Sequence, residues 1–286
     1  MRTNIKIRIS PQSAIRNPQS CGGFTLVEMI VVMAITGILG AIVALIIRTP
    51  VQEYMDSARR AEMSDIADTA SQRLARDIRT ALPNSVRVTP VGASYYLEYI
   101  PTTGGGRYRS NATGGVGNCG GAGDDLSIGA ADTCFEVLGS MPNFAPGDRV
   151  VVNNTAANSA YNASNWTPYS SKTPPAVFIT SFTFPSASPE GRFQVISTPV
   201  TYVCSPVAGG AGGTLTRYWG YAIQAAQPVN IAAAPLSAAT HALLATNVGA
   251  CSFSLPQAEL AAMQLTISES GESISLYQEI HVGNKP

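Results

Sequence analysis

The stretch Gly22-Gly23-Phe24-Thr25-Leu26-Val27-Glu28, followed by an apolar run that continues to Ile47, decides most of the fold. Glu28 is the only charged residue between Phe24 and Ile47. A helix over this segment would rise about 36 Å, which exceeds the ~30 Å hydrocarbon core of a bilayer. The stretch therefore predicts a membrane-spanning helix over residues 24–47.

A secretory signal peptide is the alternative, because four basic residues precede the apolar run: Arg2, Lys6, Arg8 and Arg16. A signal peptide usually has an apolar region of about 7–15 residues with a small-residue cleavage site after it. Here the apolar run is longer, and the small pair Gly22-Gly23 comes before it. Glu28 also argues against this alternative, because a carboxylate inside hydrocarbon costs about 2.5–3.5 kcal/mol and usually has a functional partner.

In the six residues Gly23, Phe24, Thr25, Leu26, Val27 and Glu28 the sequence resembles the type IV pilin and pseudopilin family. The resemblance implies that a prepilin peptidase cuts the Gly23–Phe24 bond and N-methylates the new terminus at Phe24. The leader, residues 1–23, would then be removed. It also implies other pilins and an inner-membrane pilus assembly platform as partners.

The resemblance assigns Glu28 to assembly. After cleavage, the protonated amine of Phe24 would lie in the membrane, and the carboxylate of Glu28 could neutralise the amine of a neighbouring subunit. Each charge is costly alone and tolerable as a pair. The alternative is that Glu28 reaches the lipid headgroups from its place near the helix start.

The helical pattern continues beyond Pro50 to Leu82, where Pro83-Asn84 ends it. Apolar residues recur there at helical spacing: Met55, Ala58, Ile66, Ala70, Leu74, Ile78 and Leu82. One helix over residues 24–82 is predicted, with its outer part packed on the protein's own sheet in preference to a free coiled coil.

Residues 83–286 read as a β-rich head, because short apolar runs alternate with Gly, Ser, Thr, Asn and Pro. The predicted strands are 95–100, 149–153, 177–184, 192–196, 200–203, 214–221, 250–255, 263–268 and 274–282. Gly104–Gly123 and Asn153–Pro175 are predicted to be long surface loops. The head is large enough for one sizeable core. The fold class is α+β, a long N-terminal helix packed on an antiparallel head.

Cysteine usage favours export to an oxidising periplasm. Cys21 would leave with the leader, and Cys119, Cys134, Cys204 and Cys251 remain in the head. Of the three possible connectivities we choose Cys119–Cys134 and Cys204–Cys251. The shorter loop would contribute about 3 kcal/mol of stability. A tetrathiolate zinc site is the alternative, but the sequence has no Cys-x-x-Cys pair.

Signals for catalysis or a cofactor are weak, and we expect no enzyme, no metal site and no cofactor. Asp124, Asp125 and Asp132 could ligate calcium, but they lack EF-hand spacing. His241 and His281 have no nucleophile motif beside them. Without the leader the chain has 18 − 4 = 14 Lys and Arg against 18 Asp and Glu, a net charge of about −4. With no basic patch, nucleic-acid binding is not expected.

The C-terminal residues 277–286 and the triplet Cys251-Ser252-Phe253 are similar to the MshO group, minor pilin-like proteins of mannose-sensitive haemagglutinin (MSHA) pilus biogenesis. This resemblance implies a minor pilin that initiates or assembles a type IV pilus. It also implies a single-pass inner-membrane protein with its head in the periplasm. A minor pseudopilin of type II secretion, of the J type, is the nearest alternative, and a membrane-anchored adhesin or enzyme is more distant.

Overall fold

The computed structural model describes residues 23–120, 124–257 and 259–283. The leader up to Gly22, including Cys21, lies outside the described residues. The chain divides into two compact units, residues 1–56 and residues 57–286. The described part of the first unit is helical from Leu26 onward. The second unit contains the rest of that helix and the β-rich head.

One long helix, α1, runs from Leu26 to Arg79 and continues through Pro50. It starts two residues later than predicted, because Thr25 caps it. It also ends three residues before the predicted Leu82. After Arg79, the N–H groups of Thr80 and Ala81 bond to carbonyls three residues earlier, which closes the last turn. Leu82 N–H then bonds to the carbonyl oxygen of Ile100, so the chain has already joined the sheet.

The outer part of α1 packs into the main core of the second unit. Its buried residues are Met63, Ala67, Ala70, Ser71, Leu74, Ala75 and Ile78. The predicted row is therefore right from Ala70 onward, and Ile66 is half-buried. Met55 and Ala58 are exposed, so the sheet covers the helix only from about Met63. Packing on the protein's own sheet is confirmed for this part.

Fourteen strands are assigned within the described residues. They are β1 (Arg87–Val91), β2 (Ser94–Tyr99), β3 (Thr102–Tyr108), β4 (Asp132–Leu138), β5 (Arg149–Val151), β6 (Trp166–Thr173), β7 (Ala176–Phe182), β8 (Arg192–Ile196), β9 (Val200–Ser205), β10 (Thr214–Trp219), β11 (Thr240–Thr246), β12 (Val248–Gln257), β13 (Leu260–Glu269) and β14 (Glu272–His281). All nine predicted strands are present, β8 with the predicted bounds. Five strands were not predicted from the sequence: β1, β3, β4, β6 and β11.

Two antiparallel sheets form the main core together with α1. The larger has the order β1-β2-β9-β10-β11, and the smaller is the meander β12-β13-β14. Helix residues such as Leu74 pack there with Tyr202 and Leu215 of the larger sheet and Leu265 of the smaller one. The alternation predicted for β14 is confirmed, with Ser273, Ser275, Tyr277, Glu279 and His281 exposed.

A closed barrel is inserted between β2 and β9. Its order is β3-β4-β7-β6-β5-β8, with β8 returning to pair with β3. The barrel has its own core, which includes Phe135, Val150 and Phe193. The chain leaves the larger sheet after Tyr99 and re-enters it at Val200, and these two residues are paired neighbours. The head therefore has two main cores where the sequence suggested one.

Both segments predicted to be long loops contain barrel strands. Most of β3 lies in Gly104–Gly123, and β6 lies in Asn153–Pro175. The glycines of β3 hid this strand from sequence reasoning. A Cβ on Gly106 would lie 2.9 Å from Phe193 Cε1, and one on Gly105 would lie 3.0 Å from the carbonyl oxygen of Phe193. Glycine is needed in β3 because β8 approaches it closely.

Candidate processing and assembly segment

The predicted cleavage bond lies just before the helix. Gly23, Phe24 and Thr25 have no regular secondary structure and are exposed, and the Phe24 side chain is 80 % exposed. A protease must bind its substrate chain in an extended form, so a bond outside the helix is suited to cleavage. The structure thus places Gly23–Phe24 in an accessible segment next to the first helical turn.

Thr25 and Glu28 form a reciprocal capping box at the start of α1. Thr25 donates to Glu28 Oε2 through its backbone N–H (3.2 Å) and its hydroxyl (3.3 Å). In return, the N–H of Glu28 donates to Thr25 Oγ1 at 3.3 Å. This pattern satisfies two of the N–H groups that a helix start leaves without partners. Unpaired N–H groups are especially costly in hydrocarbon.

The capping box uses only one oxygen of Glu28. Both bonds from Thr25 go to Oε2, and within residues 23–120, 124–257 and 259–283 no donor bonds to Oε1. Glu28 is exposed. The carboxylate can therefore cap its own helix and accept another donor at the same time.

The capping box was missed by the sequence reasoning, although its signal was available. The pattern Thr-x-x-Glu before an apolar run is a standard indication of a helix start. From the sequence Thr25 was assigned only as a residue of the motif, with no physical role. The structure supplies that role.

The helix following the cap exposes an apolar surface. Within the described part of the chain, α1 is the one helix long and apolar enough to cross a membrane by length and composition. Residues 26–47 of this helix are all exposed in the single chain. Gly37 and Gly40 have open space around them, since a Cβ on either would meet nothing within 4 Å. Lipid or another helix could cover this surface.

An ion-pair cluster fixes the end of α1 to the larger sheet. Asp77 accepts hydrogen bonds from Arg217 Nε (2.7 Å) and Tyr202 Oη (2.8 Å), and Arg73 Nε lies 3.3 Å from its other oxygen. Burial alone would raise the pKa of Asp77, but the hydrogen bonds from Arg217 and Tyr202 and the nearby positive charges outweigh it and lower the pKa. Asp77 is thus held ionised.

A second buried carboxylate, Glu98, joins β2 to its neighbours. It accepts from Arg87 Nε at 2.6 Å and from Tyr221 Oη at 2.8 Å, and its side chain is fully buried. Burial raises the pKa of Glu98, and the charge of Arg87 offsets this only in part. Both partners are satisfied within the head, which points to a structural role.

The head contains two disulfides, Cys119–Cys134 and Cys204–Cys251. These are the pairs chosen from the sequence. Cys119–Cys134 joins the loop after β3 to barrel strand β4. Cys204–Cys251 joins β9 to β12 and therefore links the two sheets of the main core. All four cysteines outside the leader are thus paired.

Two of the three carboxylates considered for calcium, Asp124 and Asp132, have other partners. Asp124 accepts the N–H groups of Gly117 and Cys119, and these bonds lower its pKa. Asp132 accepts the N–H of Ser127 at 2.8 Å. The described residues contain no group of three or more His, Cys, Asp or Glu side chains that could hold a metal ion.

The two histidines lie apart in the head. His241 stacks on Tyr218 with ring centroids 5.3 Å apart, at the edge strand β11. His281 is exposed at the end of β14. The structure does not bring them together into one site.

Comparison with known proteins identifies the N-terminal segment. Residues 18–44 match the prokaryotic N-terminal methylation motif. No curated protein and no solved structure matches the chain. The matched residues include the predicted cleavage bond, the capping box and most of the apolar helix surface. This chain therefore carries the N-terminal methylation motif of prokaryotes, and that motif supports its place among the type IV pilin-like proteins, pilins and pseudopilins together.

Proposed function

We propose that this protein is a minor pilin that takes part in the initiation or assembly of a type IV pilus of the MSHA kind. One observation carries the proposal: the methylation motif over residues 18–44 leads directly into a capped helix with an exposed apolar surface. Such a helix must be covered by lipid before assembly and by other helices afterwards. The role is structural, and we propose no catalytic step and no cofactor.

Prepilin peptidase would cut the Gly23–Phe24 bond and methylate Phe24. The exposure of this bond and its position before the first helical turn support the assignment. The four basic residues of the leader favour a cytoplasmic leader, because positive charges next to a membrane helix remain on that side. The cut would then lie on the cytoplasmic side, and the head would lie in the periplasm.

Glu28 would dock an incoming subunit through the carboxylate oxygen that the capping box leaves open. Oε2 holds Thr25, while Oε1 can accept a hydrogen bond from the Phe24 amine of a neighbouring subunit. Capping and docking are therefore compatible at one side chain.

The periplasmic location of the head is supported by its disulfides. Disulfides persist in oxidising compartments and are rare in the cytosol. Cys204–Cys251 lies in the main core, where a reduced pair would be difficult to reoxidise after folding. Export before folding would account for both pairs.

The assignment to an MSHA-type pilus rests on the C-terminal resemblance. Residues 277–281 of this stretch lie in β14, the closing strand of the meander, and residues 284–286 lie outside the described residues. Cys251-Ser252-Phe253 lies on β12 of the same sheet. A minor pseudopilin of type II secretion would share the helix and a β-rich head, so deletion of the gene should be scored for both processes. Loss of pili with normal secretion supports the pilus, whereas the reverse result supports the pseudopilin.

Processing tests the proposal directly. Gly23→Val should leave an uncleaved precursor that is heavier by the mass of the leader, because a bulky residue before the cut is not expected to fit the peptidase. Intact-mass analysis of wild-type and variant membranes measures this, and Gly22→Val serves as the matched control. Normal trimming of Gly23→Val to Phe24 would refute the cleavage assignment.

A further inference from the structure

A groove crosses the outer wall of the barrel over strands β3 and β8. Its larger cavity has a volume of about 620 Å³, and the described residues that line it are all Thr, Gly, Arg or Gln, among them Thr103, Gly105, Arg192 and Gln194. A second cavity of about 280 Å³ shares Gly105, Arg192 and Gln194 with the first and extends to Arg107. Cavities of about 300–1,000 Å³ hold most small ligands. The two cavities together are called the β3–β8 groove.

A β-bulge and a glycine shape this groove. The register of β3 against β8 shifts between Thr102 and Gly104, which leaves Thr103 as an extra residue in β3. Bulges redirect side chains and are frequent at barrel rims and beside active sites. Beyond the bulge, Gly105 pairs with Gln194, and the absence of a side chain at residue 105 leaves the wall open where the two cavities meet.

Two arginines lie directly opposite each other in the groove. Arg107 of β3 pairs with Arg192 of β8, and both are exposed. Such pairs on antiparallel strands share one face, with Cβ atoms about 4.5–5.5 Å apart, and like charges there are destabilising. The Glu190 carboxylate forms an ion pair with Arg192, and the Glu190 carbonyl oxygen accepts a hydrogen bond from Arg107 Nε at 2.9 Å. Among the described residues Arg107 has no ion-pair partner, so one positive charge is left over.

Glu190 holds these arginines from a strained backbone conformation. Its φ is +60°, in the left-handed region that residues other than glycine rarely adopt. It lies in the short turn Pro189–Gly191, immediately before β8. Strained residues of this kind cluster at sites that bind ligands. Because a like-charge pair and a strained turn coincide at one groove, the stability of the barrel alone does not account for the arrangement.

We propose that the β3–β8 groove binds an acidic saccharide, with Arg107 and Arg192 holding its carboxylate. Planar guanidinium groups bind carboxylates through two parallel N–H···O bonds, which favours an arginine pair for this ligand. The larger cavity has no Val, Leu, Ile, Met or aromatic residue in its described lining. It therefore suits the hydroxyl groups of a sugar better than the apolar side chains of a peptide.

Peptide binding by strand addition does not fit this groove. The groove lies on the face of the β3–β8 pair, where the backbone groups of the two strands bond to each other. A peptide that adds as a strand needs unpaired backbone groups at a sheet edge. Saccharide binding would also be separate from assembly, because no barrel strand contributes to the core formed by α1 and the two sheets. The inference thus goes beyond the proposed function and does not depend on it.

Isothermal titration calorimetry of the full-length chain in detergent tests the ligand class. The acidic probe is trigalacturonate, and the matched controls are the neutral trisaccharide maltotriose and the acidic peptide triglutamate. Trigalacturonate should bind with a Kd at least tenfold lower than that of either control. Equal binding of maltotriose would overturn the role of the arginines, and equal binding of triglutamate would overturn the saccharide class. Absence of trigalacturonate binding would overturn the whole inference.

Three variants locate the site. Arg107→Gln and Arg192→Gln should each raise the Kd for trigalacturonate at least tenfold, because each removes one charge of the pair. Thr103→Trp should do the same with both charges intact, because the larger side chain fills the groove. Lys172→Gln is the control, since it removes an exposed positive charge from barrel strand β6, and it should leave the Kd unchanged.

Thermal unfolding of each variant is the control for folding. Arg107, Arg192 and Thr103 are all exposed, so the unfolding midpoints should match that of the wild type. Unchanged affinity in the folded arginine variants would overturn the groove as the site. Equal weakening by Lys172→Gln would also overturn it, because the ligand would then respond only to the overall charge of the barrel.

Discussion

Three substitutions can separate the capping role of Glu28 from its proposed docking role. Glu28→Ala removes both the cap and the charge. Thr25→Ala removes the cap and keeps the charge. Glu28→Gln keeps a side-chain oxygen that can accept the hydrogen bonds of Thr25, but it removes the charge that would pair with a neighbour's amine.

The expected magnitudes differ enough to be distinguished. Loss of a capping residue costs about 0.5–2 kcal/mol of helix stability. Loss of one partner of a buried ion pair costs about 3–5 kcal/mol. Since each 1.4 kcal/mol is about tenfold in an equilibrium constant, Thr25→Ala should weaken association up to about 30-fold. Glu28→Gln should weaken it by roughly 10²- to 10⁴-fold on the same scale.

The assay is co-purification of the subunit with other pilins, together with counts of pili, at matched expression. Cleavage and membrane content serve as controls, and both should persist in all three variants. Membrane content should not fall in Glu28→Ala, because that change removes a group costing about 2.5–3.5 kcal/mol in the bilayer. If Glu28→Gln assembles normally while Thr25→Ala and Glu28→Ala fail equally, Glu28 is a cap and the docking role is refuted.

Three further predictions concern the head. Asp77 has a lowered pKa in the folded state, so it stabilises the head above pH ~4, and this contribution is lost as the pH falls through the folded pKa. In Asp77→Asn, the free energy of unfolding measured with denaturant should therefore fall less steeply as the pH is lowered. An unchanged dependence on pH would contradict the role of the ion-pair cluster. Replacing Cys204 and Cys251 by Ala should cost about 4 kcal/mol in the chain-entropy model, and a loss below about 1 kcal/mol in urea titration would contradict it. Replacing residues 100–199 with Asn-Gly should leave a head that unfolds cooperatively, as near-UV circular dichroism would show. A head without fixed tertiary packing would mean that the two cores depend on each other.

The sequence predicted the local features of the fold and missed the long-range ones. Strands β8 and β14 were predicted because their apolar residues and their boundaries lie within the strand itself. Strand β3 was missed because its glycines are explained only by Phe193, far along the chain on β8. Closure of the barrel depends on such distant pairs, and no local pattern encodes it.

The same distinction applies to the processing and assembly segment. Gly23, Phe24 and Glu28 were identified from a contiguous motif. The end of α1 was placed too late because Leu82 continues the apolar period of the helix, yet its N–H pairs with Ile100. The spacing of apolar residues predicts which residues are buried. It cannot show whether such a residue lies in the helix or in a following segment that pairs with a strand.

The insertion of the barrel explains how the chain can carry an additional module without disturbing its main core. The barrel's strands come from one continuous stretch, and its ends meet at the paired residues Tyr99 and Val200. No barrel strand contributes to the core formed by α1 and the two sheets. The connection between the two cores is a small cluster around Leu82 and Tyr161. Hydrogen bonds accompany it, from Tyr161 Oη to the carbonyl oxygen of Ser85, from Asn154 Nδ2 to that of Pro83, and from the N–H of Thr102 to that of Thr80. Changes inside the barrel should therefore leave the packing of α1 on its sheet intact, so the barrel can vary independently of α1.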